Sequence, residues 1–116
     1  MTPIVDFSYL EELAEGKTEF IQQVLSIFMD NTPKGLVELE KMITTKASFD
    51  TIQKQAHFLK SSFGIVKANE VYERLQKIES LARTQSNRAE IETLMKEIKP
   101  VFNKAETLIK KKMESL

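Results

Sequence analysis

The sequence predicts an all-α domain: an antiparallel four-helix bundle with a short extra helix at its N-terminus. Three observations carry this. The chain is rich in Lys, Glu, Leu, Ile, Gln and Thr but has only three Gly, three Pro and no Trp, too few turn residues for a sandwich or barrel. Apolar residues recur at steps of three and four, the period that puts them on one side of a helix. Breaker residues divide the 116 residues into pieces of bundle-helix length, and joining such pieces by short connections makes neighbours antiparallel. The length suits one domain, so residues 1–116 are read as a single unit.

The elements follow in order. A short first piece, Ser8 to Ala14, is closed by Gly16, a natural left-handed stop. Its Tyr9, Leu10 and Leu13 are read as a plug for the bundle end, the alternative being an apolar docking rim. Thr18 is the expected N-cap of the next helix, with Phe20, Ile21, Val24, Leu25, Ile27 and Phe28 as its apolar face. At Thr32-Pro33 the pattern allows either a new helix capped by Thr32 or the same helix after a kink, with Leu36, Leu39 and Ile43 inward. Ser48 caps the following helix, whose Phe49, Ile52, Ala56, Leu59 and Phe63 keep a seam spacing, and Gly64 ends it or lies in its last turn. Asn69 is the expected cap of the next, with Val71, Leu75, Ile78 and Ala82 inward. After Ser86-Asn87 a long last piece, about Arg88 to Glu114, points Ile91, Leu94, Ile98, Val101 or Phe102, Ala105 and Leu108 at the core. Pro100 is expected to kink or interrupt it. The Lys110 to Lys112 run lies at a helix C-terminus, where cations offset the macrodipole.

Composition excludes several functions. With no Cys and one His, there is neither a thiolate site nor a multi-histidine cage, and no metal site is expected. The Glu-x-x-His pairs of a di-iron bundle need two histidines. No apolar run reaches the roughly 18 residues of a membrane span, and Met1 to Asp6 lacks the basic-then-apolar start of a signal peptide. The chain is therefore expected to be cytoplasmic and, with its seams paired internally, monomeric. The formal net charge is zero, and no basic motif is interleaved with aromatics, so nucleic acid is not an expected partner. The balance is nevertheless uneven: residues 1–50 carry nine acidic and four basic side chains, and residues 51–116 eight acidic and thirteen basic. That asymmetry points to a charged docking surface in the second half.

The informative stretch is Gln55 to Gly64, which holds the single histidine. At 100° per residue, His57 points roughly 120° away from the centre of its helix's apolar seam. It is not a core histidine. Gln53, Lys54, Lys60, Ser61 and Gly64 share its flank, so the imidazole is bordered by two cations and by small residues. By default such a histidine is a solvated surface residue. Its chemistry allows more: imidazole is largely neutral near pH 7 and is a competent nucleophile for a phosphoryl group. Phosphoryl transfer depends on positioning and charge neutralisation, which Lys60, one turn on, is placed to supply.

The run Ala56-His57-Phe58-Leu59-Lys60-Ser61-Ser62, followed by Leu75-Gln76-Lys77-Ile78-Glu79, resembles the histidine-containing phosphotransfer (HPt) domain family. The resemblance implies that His57 is the phospho-acceptor and Lys60 its positive partner. Ser61 stands where the family usually has Gly, and Lys67 stands where a second Gly is common. Gly64 or Asn69 is expected to take up that turn. If the hairpin turns near Val66, the residues opposite His57 fall near position 75, which makes Gln76 and Glu79 candidates to bond its second ring nitrogen and fix the tautomer. Lys54, Phe58, Ser61 and Gly64 are the candidate partner contacts.

The resemblance implies a phosphorelay intermediate rather than an enzyme. His57 would take a phosphoryl group from a receiver-domain aspartate, in a response regulator or a hybrid sensor kinase, and pass it to another. The chain has no Gly-rich phosphate loop, so it is expected to need no cofactor of its own, the receiver bringing Mg²⁺. The alternative is a non-catalytic helical adaptor that binds a signalling partner without phosphotransfer.

Overall fold

The computed structural model describes residues 3–116. Met1 and Thr2, where the stretch read as lacking a leader begins, lie outside the described residues. Five helices follow one another: α1 (Ser8–Ala14), α2 (Thr18–Thr44), α3 (Phe49–Ile65), α4 (Asn69–Arg83) and α5 (Arg88–Ser115). Among the described residues there is no strand, and no helix is long and apolar enough to cross a membrane. The four long helices close a ring, α2 packing on α3 and α5, α3 on α4, and α4 on α5, with α1 set against α2.

Local chemistry explains the boundaries. Asp6 Oδ1 accepts a hydrogen bond from the Ser8 amide at 2.9 Å, tying down the start of α1. Glu15 and Gly16 then both take left-handed backbone (φ 49° and 82°) and stop it. In α1 only Leu10 and Ala14 are buried. Tyr9 and Leu13, expected in the plug, stay exposed.

The ambiguity at Pro33 resolves in favour of one uninterrupted 27-residue helix. Ile21, Leu25, Phe28, Thr32, Leu36, Leu39 and Ile43 form a single buried stripe on both sides of the proline, so packing holds the helix together where one backbone bond is missing. Thr32, a candidate cap, is a buried member of that stripe. Thr18 is the first helical residue rather than the cap; Lys17 occupies the cap position without a side-chain bond. Phe20 and Ile27 are exposed, correcting their inward assignment. Both lie more than about 100° from the centre of the stripe.

Gly35 decides how closely α2 meets α3. A Cβ at this position would lie 2.5 Å from Leu59 Cδ2, and Leu59 is wholly buried. Gln55, two residues before His57, donates from Nε2 to the Gly35 carbonyl at 3.0 Å. Close contact and a hydrogen bond thus fix the rotation of α3.

In α3, Ser48 Oγ accepts from the Thr51 amide at 3.2 Å, as its cap position predicts. Ile52, Ala56, Leu59 and Phe63 form the buried seam. Gly64 lies in the last turn. The turn into α4 is taken up neither by Gly64 nor by Asn69 but by Lys67, whose φ is +51°. For a residue with a side chain this backbone costs about 1 kcal/mol. Two contacts from the N-terminal segment hold it: the Asp6 amide donates to the Val66 carbonyl at 2.9 Å, and the Lys67 ammonium lies 4.8 Å from the centre of the Tyr9 ring. Ala68, not Asn69, is the cap residue of α4.

Asn87 caps α5, its side chain accepting from the Glu90 amide at 3.1 Å. Pro100 does not interrupt the helix, which runs from Arg88 to Ser115 with Ile91, Leu94, Met95, Ile98, Phe102, Ala105 and Ile109 buried. Ile109 takes the inward position expected for Leu108, which is exposed. Lys112 pairs with Glu11 at 2.6 Å, binding the end of α5 to α1. Phe63 stands at the middle of the core, edge-on to Phe28 of α2 (5.3 Å) and Phe102 of α5 (5.8 Å).

Candidate functional site

Because the α3 seam faces the core, His57 is turned to the surface, and its side chain is 66% exposed. Directly across on α4 lies Glu79, next to the buried Ile78 and itself only 3% exposed. His57 Nδ1 is 2.6 Å from Glu79 Oε2, while Lys60 Nζ and Arg83 Nη2 approach Oε1 at 3.1 Å and 3.3 Å. One nearly buried carboxylate thus holds three donors, two on α3 and one on α4. Burial pushes the Glu79 carboxyl up, but its hydrogen bonds with Lys60 and His57 and their charges outweigh this and hold it below the ordinary glutamate value of 4.5.

An ionised carboxylate can only accept, so the hydrogen between Glu79 and the ring belongs to Nδ1. In a neutral imidazole the lone pair then lies on Nε2, the nitrogen not bonded to Glu79. Two permanent cations against one carboxylate leave the surroundings of that lone pair with one excess positive charge.

The pKa shift has a consequence for stability. A carboxyl whose folded pKa is depressed stabilises the fold fully above its unfolded value and loses that contribution as pH falls through the folded one. Melting temperatures measured from pH 6 to pH 3 should therefore fall below about pH 4.5, and Glu79→Gln should flatten this part of the curve. Equal acid slopes for the two proteins would show that Glu79 does not couple to folding.

The other candidate residues divide into two groups. Gln76, the first of the two residues predicted to bond the histidine, makes no such bond; it is exposed and borders a groove with Glu73, Lys77, Ser80, Leu81 and Glu90. Glu79 is closer to the core edge of α4, which explains why it alone meets His57. Lys54 is exposed and paired with Asp50 at 3.0 Å. Ser61 Oγ donates to the His57 carbonyl at 3.4 Å. Phe58 is 61% exposed on the α2 side of His57, where Val24, Ile27, Phe28, Ser62 and Ile65 line a shallow groove. A methyl group at Gly64 would meet only Tyr72 Cε2, at 3.8 Å. Packing within the chain therefore does not demand glycine there. Arg83 was not among the sequence candidates, although its spacing of four from Glu79 on α4 is an ion-pair signal.

A model of the Hpt domain matches residues 23–111, which include every residue of this cluster. The chain belongs to the Hpt domain family. Hpt domains are phosphocarriers of two-component phosphorelays, not enzymes in the ordinary sense. The Hpt fold is also seen in a solved structure, a histidine-containing phosphotransfer protein from rice, with a TM-score of 0.80 and 19% identity over 96% of this chain and 80% of that one. Comparison with curated proteins gives no sequence match. Among the described residues of this Hpt domain, no group of three or more His, Cys, Asp or Glu side chains converges to hold a metal ion.

Proposed function

We propose that this Hpt domain, built as an antiparallel four-helix bundle with α1 against one end, is a relay intermediate that carries a phosphoryl group on Nε2 of His57. It takes the group from the aspartyl phosphate of one receiver domain and gives it to the aspartate of another. The observation that carries this reading is the 2.6 Å contact between His57 Nδ1 and the buried Glu79 carboxylate, which leaves an outward Nε2 lone pair in a net positive setting.

In the forward step the Nε2 lone pair forms an N–P bond while the P–O bond to the receiver aspartate breaks, and the aspartate keeps that electron pair as carboxylate. Nδ1 retains its hydrogen. The ring gains positive charge, which the adjacent Glu79 carboxylate offsets. Lys60 and Arg83 together outweigh the charge of Glu79, so the phosphoryl oxygens meet a net positive setting. Transfer onward reverses each step. The Mg²⁺ for this exchange belongs to the receiver.

Docking uses the outer face of α3. Lys54 offers an exposed ammonium, Phe58 an apolar contact, and Ser61 and Gly64 clearance, since Ser61 is small and exposed and Gly64 carries no side chain.

The test is transfer of labelled phosphate from phosphorylated receiver domains to the purified chain. The product should be acid-labile and alkali-stable. If a panel of competent receivers leaves the folded protein unlabelled, the reading fails and the adaptor function takes its place.

A further inference from the structure

The two cations beside Glu79 are not equivalent. The Lys60 side chain is 17% exposed, lies 3.1 Å from Glu79 Oε1, and has its ammonium 5.9 Å from the centre of the Tyr72 ring, so it is packed between α3 and α4. The Arg83 side chain is 59% exposed and reaches the same oxygen through Nη2 alone, at 3.3 Å. A guanidinium has five N–H donors in a planar fork that suits phosphate oxygens, and this contact uses one nitrogen.

Direction adds to the difference. Side chains on a helix lean toward its N-terminus. On α3 this tilts the His57 ring toward position 53, which antiparallel packing sets near the level of Arg83; on α4 it tilts Arg83 back toward Glu79 and the ring. A further cation on the outer side of α3, Lys54, sits in an exposed pair with Asp50 at 3.0 Å and makes no contact with Glu79. Moving Lys60 away would strip a nearly buried carboxylate of its nearest ammonium, a costly change. Moving Arg83 leaves that pair intact.

From this geometry we infer that Arg83 is the side chain that closes on the phosphoryl oxygens at His57 Nε2, while Lys60 stays in place as the fixed counter-charge of Glu79. The inference rests on the relay reading above and assigns a division of labour within it. Arg83 is then a catalytic residue, and Lys60 a positioning one.

The test compares wild type, Arg83→Gln, Arg83→Lys and Lys60→Gln in the rate of phosphoryl transfer from one purified receiver domain that labels the wild type. Rates are expressed per folded molecule, and thermal melts are run in parallel. Arg83→Gln should slow transfer at least about 10-fold, the worth of one hydrogen bond to a charged group, and Arg83→Lys should recover to within about 3-fold of wild type by restoring the charge without the fork. Lys60→Gln should lower the melting temperature more than Arg83→Gln and slow transfer less. Wild-type speed in Arg83→Gln overturns the inference, as does a larger rate loss in Lys60→Gln. A wild type that accepts label from no receiver overturns the relay reading, and the inference with it.

Discussion

His57→Gln is expected to reduce phosphoryl acceptance to background while leaving the fold intact. Both halves of that expectation come from the same geometry. Glutamine offers an amide nitrogen whose lone pair is delocalised, so no nucleophile remains at this position, and the chain has no second histidine to substitute for it. The side chain lost is 66% exposed, and Glu79 retains Lys60 and Arg83 after the change. The stability change should therefore be about 1 kcal/mol, the scale of one hydrogen bond, as read by urea denaturation. An adaptor that signals by binding alone would keep its signalling in this variant. A relay loses it, and label persisting on His57→Gln would place the acceptor elsewhere.

Phe63→Ala should have the largest effect on stability. Phe63 is wholly buried and makes edge contacts with Phe28 and Phe102, so three of the four long helices meet at its ring. Truncating a buried Phe costs about 3–5 kcal/mol through lost transfer energy and the cavity left behind. That is a large part of the roughly 5–15 kcal/mol available to a domain. The melting temperature should fall by roughly 12–20 °C at about 4 °C per kcal/mol. Phe63 faces the core and His57 the surface, so phosphoryl acceptance by the molecules still folded at low temperature should be near wild type. A loss under about 1 kcal/mol would contradict the aromatic centre described here.

What the sequence revealed depended on whether one physical signal stood alone. The α3 seam and its Ser48 cap were legible because a single apolar stripe and a single cap candidate agree, and that stripe turned His57 outward. In α2 the run from Phe20 to Phe28 contains more apolar residues than one face can bury, so Phe20 and Ile27 read as inward until packing against α3 and α5 selected the other stripe. Pro33 and Pro100 are breakers by local chemistry, yet the buried stripe of each helix continues on both sides of its proline and keeps the helix continuous. Lys67 takes the left-handed backbone itself, at a position where the family commonly has Gly; the residue type gave no such signal, and the contacts from Asp6 and Tyr9 that add to the local Ala68–Phe63 bond lie far away in sequence.

At the site, hairpin geometry narrowed the partner of His57 to Gln76 and Glu79. It could not choose between them, since the choice depends on how far each lies from the core edge of α4. The role read for Lys60 came from its position one turn beyond His57. The structure adds that this lysine is already engaged by Glu79, a contact that depends on the depth of a carboxylate on another helix.

The most direct test of the account is the identity of the modified nitrogen. Phosphorus and proton NMR of the chain after transfer from a receiver should show one phosphohistidine, with phosphorus on Nε2 of His57 and a hydrogen still on Nδ1 facing Glu79. Phosphorus on Nδ1, or a phosphate ester on another residue, would contradict the role assigned to the buried carboxylate.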